Sequence, residues 1–268
     1  MAENSYAPPD FGQKMFKDSG NANFKPVTKN GVAPGGFYST SNLPTYVKIE
    51  GNWKIVSDQR MDSVILNGKN SLCVKEISKL KKGNLVLVAE SADGTQGVFE
   101  HYGGFGKNKT KHGFEFMSSE VSREKPVDYS KIAAMIEHES KNGFVIWVIG
   151  PAIVHSGSRD DFSWIVENGY VSALFCGNAV AVHDSEMSMF GTSLDMKCDS
   201  SLSGNHGTHM KAINEVRNAG SLKNAVDKKI IKGGIIFSCI KKNVPMVIAG
   251  SIRDDGPMPD TITDSLAA

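Results

Sequence analysis

Polar and ionisable side chains directly follow an apolar run near the end of this 268-residue chain. Residues 244–249 have the composition of a buried strand, and residues 250–257 after them contain Arg253, Asp254 and Asp255. Parallel strands are buried on both faces, so ligands of open α/β sheets bind outside the carboxyl ends of the strands. We therefore expect Asp255 to contact a ligand. Arg253 and Asp254 either join it or form an ion pair that braces the loop.

Two further loops have the same pattern. The apolar residues 173–176 lead through a glycine to Asn178 and Ala179, and residues 144–149 lead towards His155. Asn178 can offer its side-chain amide and backbone donors to a phosphate or a ribose, because the glycine lets a ligand approach the chain closely. The alternative is an ordinary turn residue. Three such loops in one half of the chain predict one shared cleft.

Histidines supply the remaining candidates for chemistry. His183 and Asp184 are adjacent and could act as an acid/base pair, since imidazole titrates near neutrality. Local context also allows Asp184 to cap the next helix, which is the simpler interpretation. His206 and His209, with Cys198 upstream, lack the paired spacing of structural zinc ligands. We predict no metal site and expect these histidines to line a polar crevice or to cap a helix that begins near His209.

Composition excludes several classes of protein. The chain has 30 basic and 29 acidic residues, which gives no electrostatic footprint for nucleic acid or an anionic membrane. No apolar stretch approaches the roughly 20 residues of a membrane span. The four cysteines are far apart in sequence, which favours free thiols. We expect a cytoplasmic protein whose partner is a small molecule, and neither nucleic acid nor a membrane.

The first half of the chain has the pattern of short β-strands. Residues 1–36 are polar and predict an N-terminal arm, and residues 37–112 predict a small β-barrel-like domain. Its strands are expected at residues 46–49, 53–56, 61–66, 71–74 and 85–90. A turn at Glu50 and Gly51 separates the first two strands, and Asn-Gly and Lys-Gly turns follow further along.

The second half, residues 113–268, alternates between helical and strand periodicity. Asp128 predicts the cap of a helix that ends near residues 142–143, and strands are expected at residues 144–149, 173–176 and 245–249. Helices are expected around residues 162–167, 210–217, 222–226 and 235–242. A last helix is expected after Pro259, with Ile262 and Leu266 four positions apart on one face. Alternating strands and helices predict a doubly wound parallel sheet. The fold class is therefore α/β, with a small antiparallel β domain followed by a Rossmann-like domain.

Several ordered blocks together resemble one family. They are residues 37–45, 114–122, 150–155, 177–179, 183–184, 191–194, 212–214, 217–221 and 250–257. From residue 37 onwards the chain is similar to the archaeal-type ornithine cyclodeaminases, also called LOR/SDH conserved-region proteins, which form the C-terminal half of cyanobacterial arginine dihydrolase fusions.

The resemblance implies a small β domain, a Rossmann-like domain and tightly bound NAD. It implies that L-ornithine becomes L-proline and ammonia by internal hydride transfer, with the cofactor regenerated in each turnover. Carried over by motif, the family's cofactor contacts fall on Asn178, Ala179 and Asp255. The implied residues for ornithine binding and proton transfer are His183, Asp184, His206, His209, Arg253 and Asp254.

The chain departs from the family pattern in three ways. Family members carry an earlier segment and a later strand-helix-strand portion, so we expect this chain to be a fragment. Where they show Gly-Gly-His-x-His-His, this chain has only His206 and His209. Two alternatives to a cyclodeaminase stay open: an amino-acid oxidoreductase with net NAD reduction, and a non-catalytic NAD-binding or assembly module. An incomplete sheet would expose apolar surface, so we also expect a homo-oligomer.

Overall fold

The computed structural model describes residues 6–68, 71–104, 128–193, 196–197, 207–250, 256–264 and 266–267. The strands are β1 (Asn23–Pro26), β2 (Thr45–Ile49), β3 (Asn52–Ile55), β4 (Val64–Asn67), β5 (Leu72–Lys75), β6 (Leu85–Val88), β7 (Val98–Glu100), β8 (Ile146–Ile149), β9 (Ala173–Gly177), β10 (Thr192–Ser193), β11 (Met196–Lys197) and β12 (Met246–Ala249). The helices are α1 (Lys14–Asp18), α2 (Tyr129–Asn142), α3 (Ala152–His155), α4 (Arg159–Glu167), α5 (Asn178–Phe190), α6 (Thr208–Ala219), α7 (Leu222–Asp227) and α8 (Ile235–Lys242). The predicted fold class is confirmed.

Two antiparallel sheets form the β domain. One has the strand order β1-β6-β4-β5 and the other β3-β2-β7. Glu50 and Gly51, both with positive φ, form the tight turn between β2 and β3, as their sequence predicts. Strand β1 comes from the segment expected to be an arm, and it pairs antiparallel with β6. Val47, Ile65, Leu87 and Val98 are fully buried and belong to one apolar cluster.

The second half contains a parallel sheet with the order β12-β9-β8 in the described part of the chain. Leu174 and Cys176 on β9 and Ile248 on β12 are buried on one face, within the larger core. On the other face Val148 is 78% exposed and Phe175 40%. Helix α2, capped by Asp128 as predicted, buries none of its residues. Among the described residues, therefore, this side of the sheet is open.

One apolar core joins the two halves. It contains Val64 and Leu66 of the β domain together with Leu174, Ile213 and Ile248 of the α/β domain. Helices α4 and α8 pack against each other, as do α5 and α6. Burial of apolar area favours folding by about 25 cal/mol per Å², so this shared core fixes how the halves are placed.

The N-terminal arm lies against the β domain. The Phe11 ring stacks on Trp53 at 4.9 Å between centroids. The Lys48 ammonium is buried and donates to the carbonyl oxygens of Phe16 at 2.8 Å and Ser19 at 2.7 Å, at the end of α1. A cation at a helix C-terminus satisfies carbonyls that have no partner inside the helix.

The prediction of a helix after Pro259 is wrong. Ile262 instead forms a parallel bridge to Ala249, and its amide donates to the carbonyl oxygen of Ile248. Leu266 is 97% exposed, so its spacing from Ile262 does not mark a buried helical face. Across the described residues, no helix is long and apolar enough to span a membrane.

Candidate functional site

The candidate site lies at the carboxyl ends of β8 and β9. Strand β9 runs directly into α5, and the N-cap of α5 is Gly177, with extended backbone and no side chain of the described residues bonded there. A Cβ placed on Gly177, or on Gly150 after β8, would meet no described atom within 4 Å. The first amides of a helix have no partner inside the helix, so this open end can donate to an anion such as a pyrophosphate.

Asn178 lies at the start of α5, but its side chain is engaged within the protein. Its amide nitrogen donates to the Gly256 carbonyl at 3.0 Å, and its Oδ1 accepts from the Met258 amide at 2.9 Å and the Thr261 hydroxyl at 2.8 Å. The expectation that this side chain binds a ligand directly is therefore corrected. The Asn178 side chain holds residues 256–261 against the start of α5, beside the half-buried Ala179.

Arg253, Asp254 and Asp255 lie outside the described residues, as does His206. Their expected roles stay predictions. The described residues next to this loop are Gly250, whose amide donates to the Ile262 carbonyl, and Gly256, which accepts from Asn178.

Three imidazoles meet around His183, in the second turn of α5. We call His155 of α3, His183 of α5 and His209 of α6 the histidine cluster. The His155 and His183 rings lie 4.8 Å apart, and those of His183 and His209 lie 6.4 Å apart. His155 Nδ1 bonds the Ser193 hydroxyl at 2.6 Å. His209 Nε2 bonds Asp62 of the β domain at 2.8 Å, so the cluster joins both halves of the protein.

Glu186 contacts His183, the middle ring of the histidine cluster, and it was not among the residues predicted from the sequence. It is fully buried, and its Oε2 lies 3.0 Å from His183 Nδ1. Its Oε1 accepts from the hydroxyls of Thr192 at 2.7 Å and Thr208 at 2.8 Å. Residues three apart on a helix share a face whereas adjacent residues do not. The three-residue spacing of His183 and Glu186 therefore predicts that their side chains meet. The adjacency of His183 and Asp184 predicts no such contact.

Asp184 has a different environment, which corrects its expected catalytic role. It is fully buried, its Oδ1 accepts from Arg159 Nε at 2.6 Å, and its oxygens accept the Ile235 and Ile236 amides at 3.1 and 2.8 Å. It therefore caps a helix, as the alternative proposed, but the helix is α8, which is distant in sequence. Burial raises the pKa of the Asp184 carboxyl, although Arg159 and the two amides act in the opposite direction.

Burial also shifts the pKa of neighbouring groups. It lowers the pKa of His155, and the adjacent His183 lowers it further, whereas the Glu186 carboxylate acts in the opposite sense. Burial raises the pKa of the Cys176 thiol to about 12. Cys176 and Cys239 are buried free thiols as predicted, and Cys73 is half-buried. In the described ranges no group of three or more His, Cys, Asp or Glu side chains is arranged to hold a metal ion.

Two family profiles match the chain. The profile described as arginine dihydrolase ArgZ-like, C-terminal, Rossmann fold, matches residues 130–268, and the ArgZ-like C-terminal first region matches residues 44–130. Together they cover both the β domain and the α/β domain.

Similar proteins of known name agree with these profiles. The ornithine cyclodeaminase of Methanopyrus kandleri is 44% identical over 250 residues, which are 91% of this chain and 59% of that protein. The bifunctional arginine dihydrolase/ornithine cyclodeaminase AgrE of Nostoc sp. is 38% identical over 264 residues, 94% of this chain and 37% of that protein. The crystal structure of the ternary complex of AgrE with ornithine and NAD+ matches with a TM-score of 0.76 at 33% identity, over 93% of this chain and 35% of that chain. The chain thus spans between 35% and 59% of the length of these relatives.

Proposed function

Because the chain belongs to the family of ArgZ-like C-terminal regions, in which relatives are named ornithine cyclodeaminase, we propose that it forms part of an NAD-dependent enzyme that converts L-ornithine into L-proline and ammonia. The observation that carries this proposal is the uncapped start of α5 beside the open strand ends, with His183 on the same helix.

The residues at the start of α5 fit a dinucleotide. The backbone amides of Asn178 and Ala179 would face its phosphates, and Asp255 would accept hydrogen bonds from a ribose hydroxyl. Open space over Gly177 and Gly150 leaves room for the ligand among the described atoms. NAD would supply the hydride acceptor and donor, and the protein would supply orientation and electrostatics.

The histidine cluster supports proton transfer on an amino-acid substrate. His183 lies less than two helical turns from the start of α5, so its ring is near the place proposed for the cofactor. We propose His183 as the group that exchanges protons with the ornithine ammonium group. Arg253 and Asp254 remain the proposed contacts to the substrate carboxylate and ammonium groups, on charge complementarity.

The test uses the protein at its full natural length, assayed for proline and ammonia from L-ornithine with NAD. His183→Asn should lower kcat by about 10²-fold to 10⁴-fold, which is the usual contribution of a general acid or base. The matched control is His138→Asn, because the His138 side chain is 67% exposed on α2. It should leave kcat unchanged.

A second variant tests the cofactor site by calorimetric titration of NAD. Asn178→Ala should weaken NAD binding at least about 10-fold, because three hydrogen bonds to residues 256–261 are lost. The control is Asn168→Ala, since this asparagine is exposed and its side chain donates to the Trp164 carbonyl at the end of α4. Absence of proline formation by the wild-type protein overturns the proposal. Net NADH accumulation would favour the oxidoreductase alternative, and NAD binding without turnover would favour a binding module.

We also propose that the protein acts in the cytoplasm as a homo-oligomer. The exposed apolar side chains of Val148 and Phe175 support association, since large apolar patches are uncommon on monomeric proteins. Sedimentation velocity and cell fractionation test these two statements.

A further inference from the structure

Glu186 is a buried carboxylate with hydrogen-bond donors from three elements. His183 Nδ1 of α5 lies against one of its oxygens, and the hydroxyls of Thr192 in β10 and Thr208 in α6 donate to the other. A buried carboxylate is costly unless it is hydrogen-bonded. Two hydroxyls donate to Oε1, and an ionised carboxylate is fully satisfied when His183 Nδ1 carries the proton and donates to Oε2.

The contact with Glu186 selects one form of the His183 ring. A neutral imidazole carries its proton on one nitrogen and a lone pair on the other. An acceptor against Nδ1 places the proton there and leaves the lone pair on Nε2. Nε2 makes no hydrogen bond to any described residue. The fully buried polar atoms that lack a partner do not include Nε2, so this nitrogen is not completely enclosed. It is therefore the nitrogen available to a ligand.

Titratable groups face the His183 ring from two neighbouring helices and from its own helix. His155 faces it from α3, His209 from α6 with Asp62 of the β domain behind it, and Glu186 from its own helix. His155 and His209 bond Ser193 and Asp62, respectively, through a nitrogen of their own. Glu186 is the carboxylate that contacts the His183 ring directly.

We propose that Glu186 is the positioning residue for His183. It holds the ring with Nδ1–H directed at the carboxylate and Nε2 directed at the substrate, and it stabilises the imidazolium. This inference rests on the proposed function. In the proton-transfer step an N–H bond of the substrate ammonium breaks, a bond from that proton to Nε2 forms, and the electron pair stays on the substrate nitrogen.

The first test reads the tautomer without any activity. Nitrogen-15 NMR of the wild-type chain at a pH where His183 is neutral should show a protonated Nδ1 and an unprotonated Nε2. In Glu186→Gln this preference should weaken, since an amide can donate as well as accept. A wild-type ring protonated on Nε2 overturns the inference, and this measurement needs no variant to fold.

The second test uses kinetics with the same protein preparation as the activity assay. Glu186→Gln should lower kcat by about 10-fold to 100-fold and leave KM for ornithine within about 2-fold, because the residue acts through His183. Glu186→Asp should recover part of the activity.

A matched control lies next to Glu186 on the same helix. Ser185 is fully buried, and its hydroxyl has no hydrogen-bond partner among the described residues. Ser185→Ala should change neither kcat nor the tautomer preference of His183. An unchanged kcat together with an unchanged tautomer preference in folded Glu186→Gln overturns the inference. If wild type makes no proline yet shows the Nδ1–H tautomer, the proposed function fails and the geometry of the pair stands.

Discussion

Removal of Asp184 should destabilise the fold strongly, because its carboxylate bonds three donors in a fully buried place. Arg159 Nε donates at 2.6 Å, and the first two amides of α8 donate at 3.1 and 2.8 Å. Asp184→Ala leaves a guanidinium whose side chain is only 15% exposed without its anion, and it removes the cap of α8. Breaking a buried pair in this way costs about 3–5 kcal/mol.

The same arginine provides the control. Asp160 also contacts Arg159, at 3.4 Å, but its side chain is 91% exposed. Exposed ion pairs contribute little, so Asp160→Ala should leave stability unchanged within error. Both variants keep the guanidinium and differ in which carboxylate is lost.

Urea unfolding followed by circular dichroism measures the difference. With a slope of about 3 kcal/mol per M, a loss of 3 kcal/mol moves the midpoint by about 1 M. A double-mutant cycle with Arg159→Met should give a coupling above about 1 kcal/mol. If Asp184→Ala and Asp160→Ala unfold at the same urea concentration, the structural assignment of Asp184 is wrong, and its catalytic role returns.

Three further predictions concern other positions. Gly207→Ala should cost about 1–3 kcal/mol, since φ is +94° and the new Cβ would lie 2.7 Å from a side-chain atom of Ser39, whereas Gly35→Ala, with open space, should cost far less. The folded-state pKa of His155 is lowered, so the stabilising contribution of this residue is complete above pH 6.5, its ordinary pKa, and is lost as pH falls through the lower folded pKa. His155→Gln should therefore flatten this part of a plot of urea midpoint against pH. An unchanged plot would contradict the prediction. Lys48→Met should expose the N-terminal arm to limited proteolysis, because the carbonyls at the end of α1 lose their donor; equal cleavage of variant and wild type would argue against this role.

Much of the fold follows from local pattern. The turn at Glu50 and Gly51, the cap at Asp128 and the strand leading to Asn178 were predictable, because turns, caps and strand alternation depend on residues close in sequence. The prediction of a helix around Ile262 was wrong because it too used only residues close in sequence. A four-residue spacing cannot reveal that Ile262 pairs with the strand that ends at Ala249.

The sequence by itself determined the order of strands and helices, the family resemblance and the loops that could hold a ligand. The tertiary structure decided which side chains meet. Asp184 caps a helix that begins at Ile235, and His209 reaches Asp62, 147 positions earlier. Helix and strand periodicity specify which face a side chain occupies, but not which distant element packs on that face. Only the packing of α5 between its neighbours assigned Asp184 to the fold and Glu186 to His183.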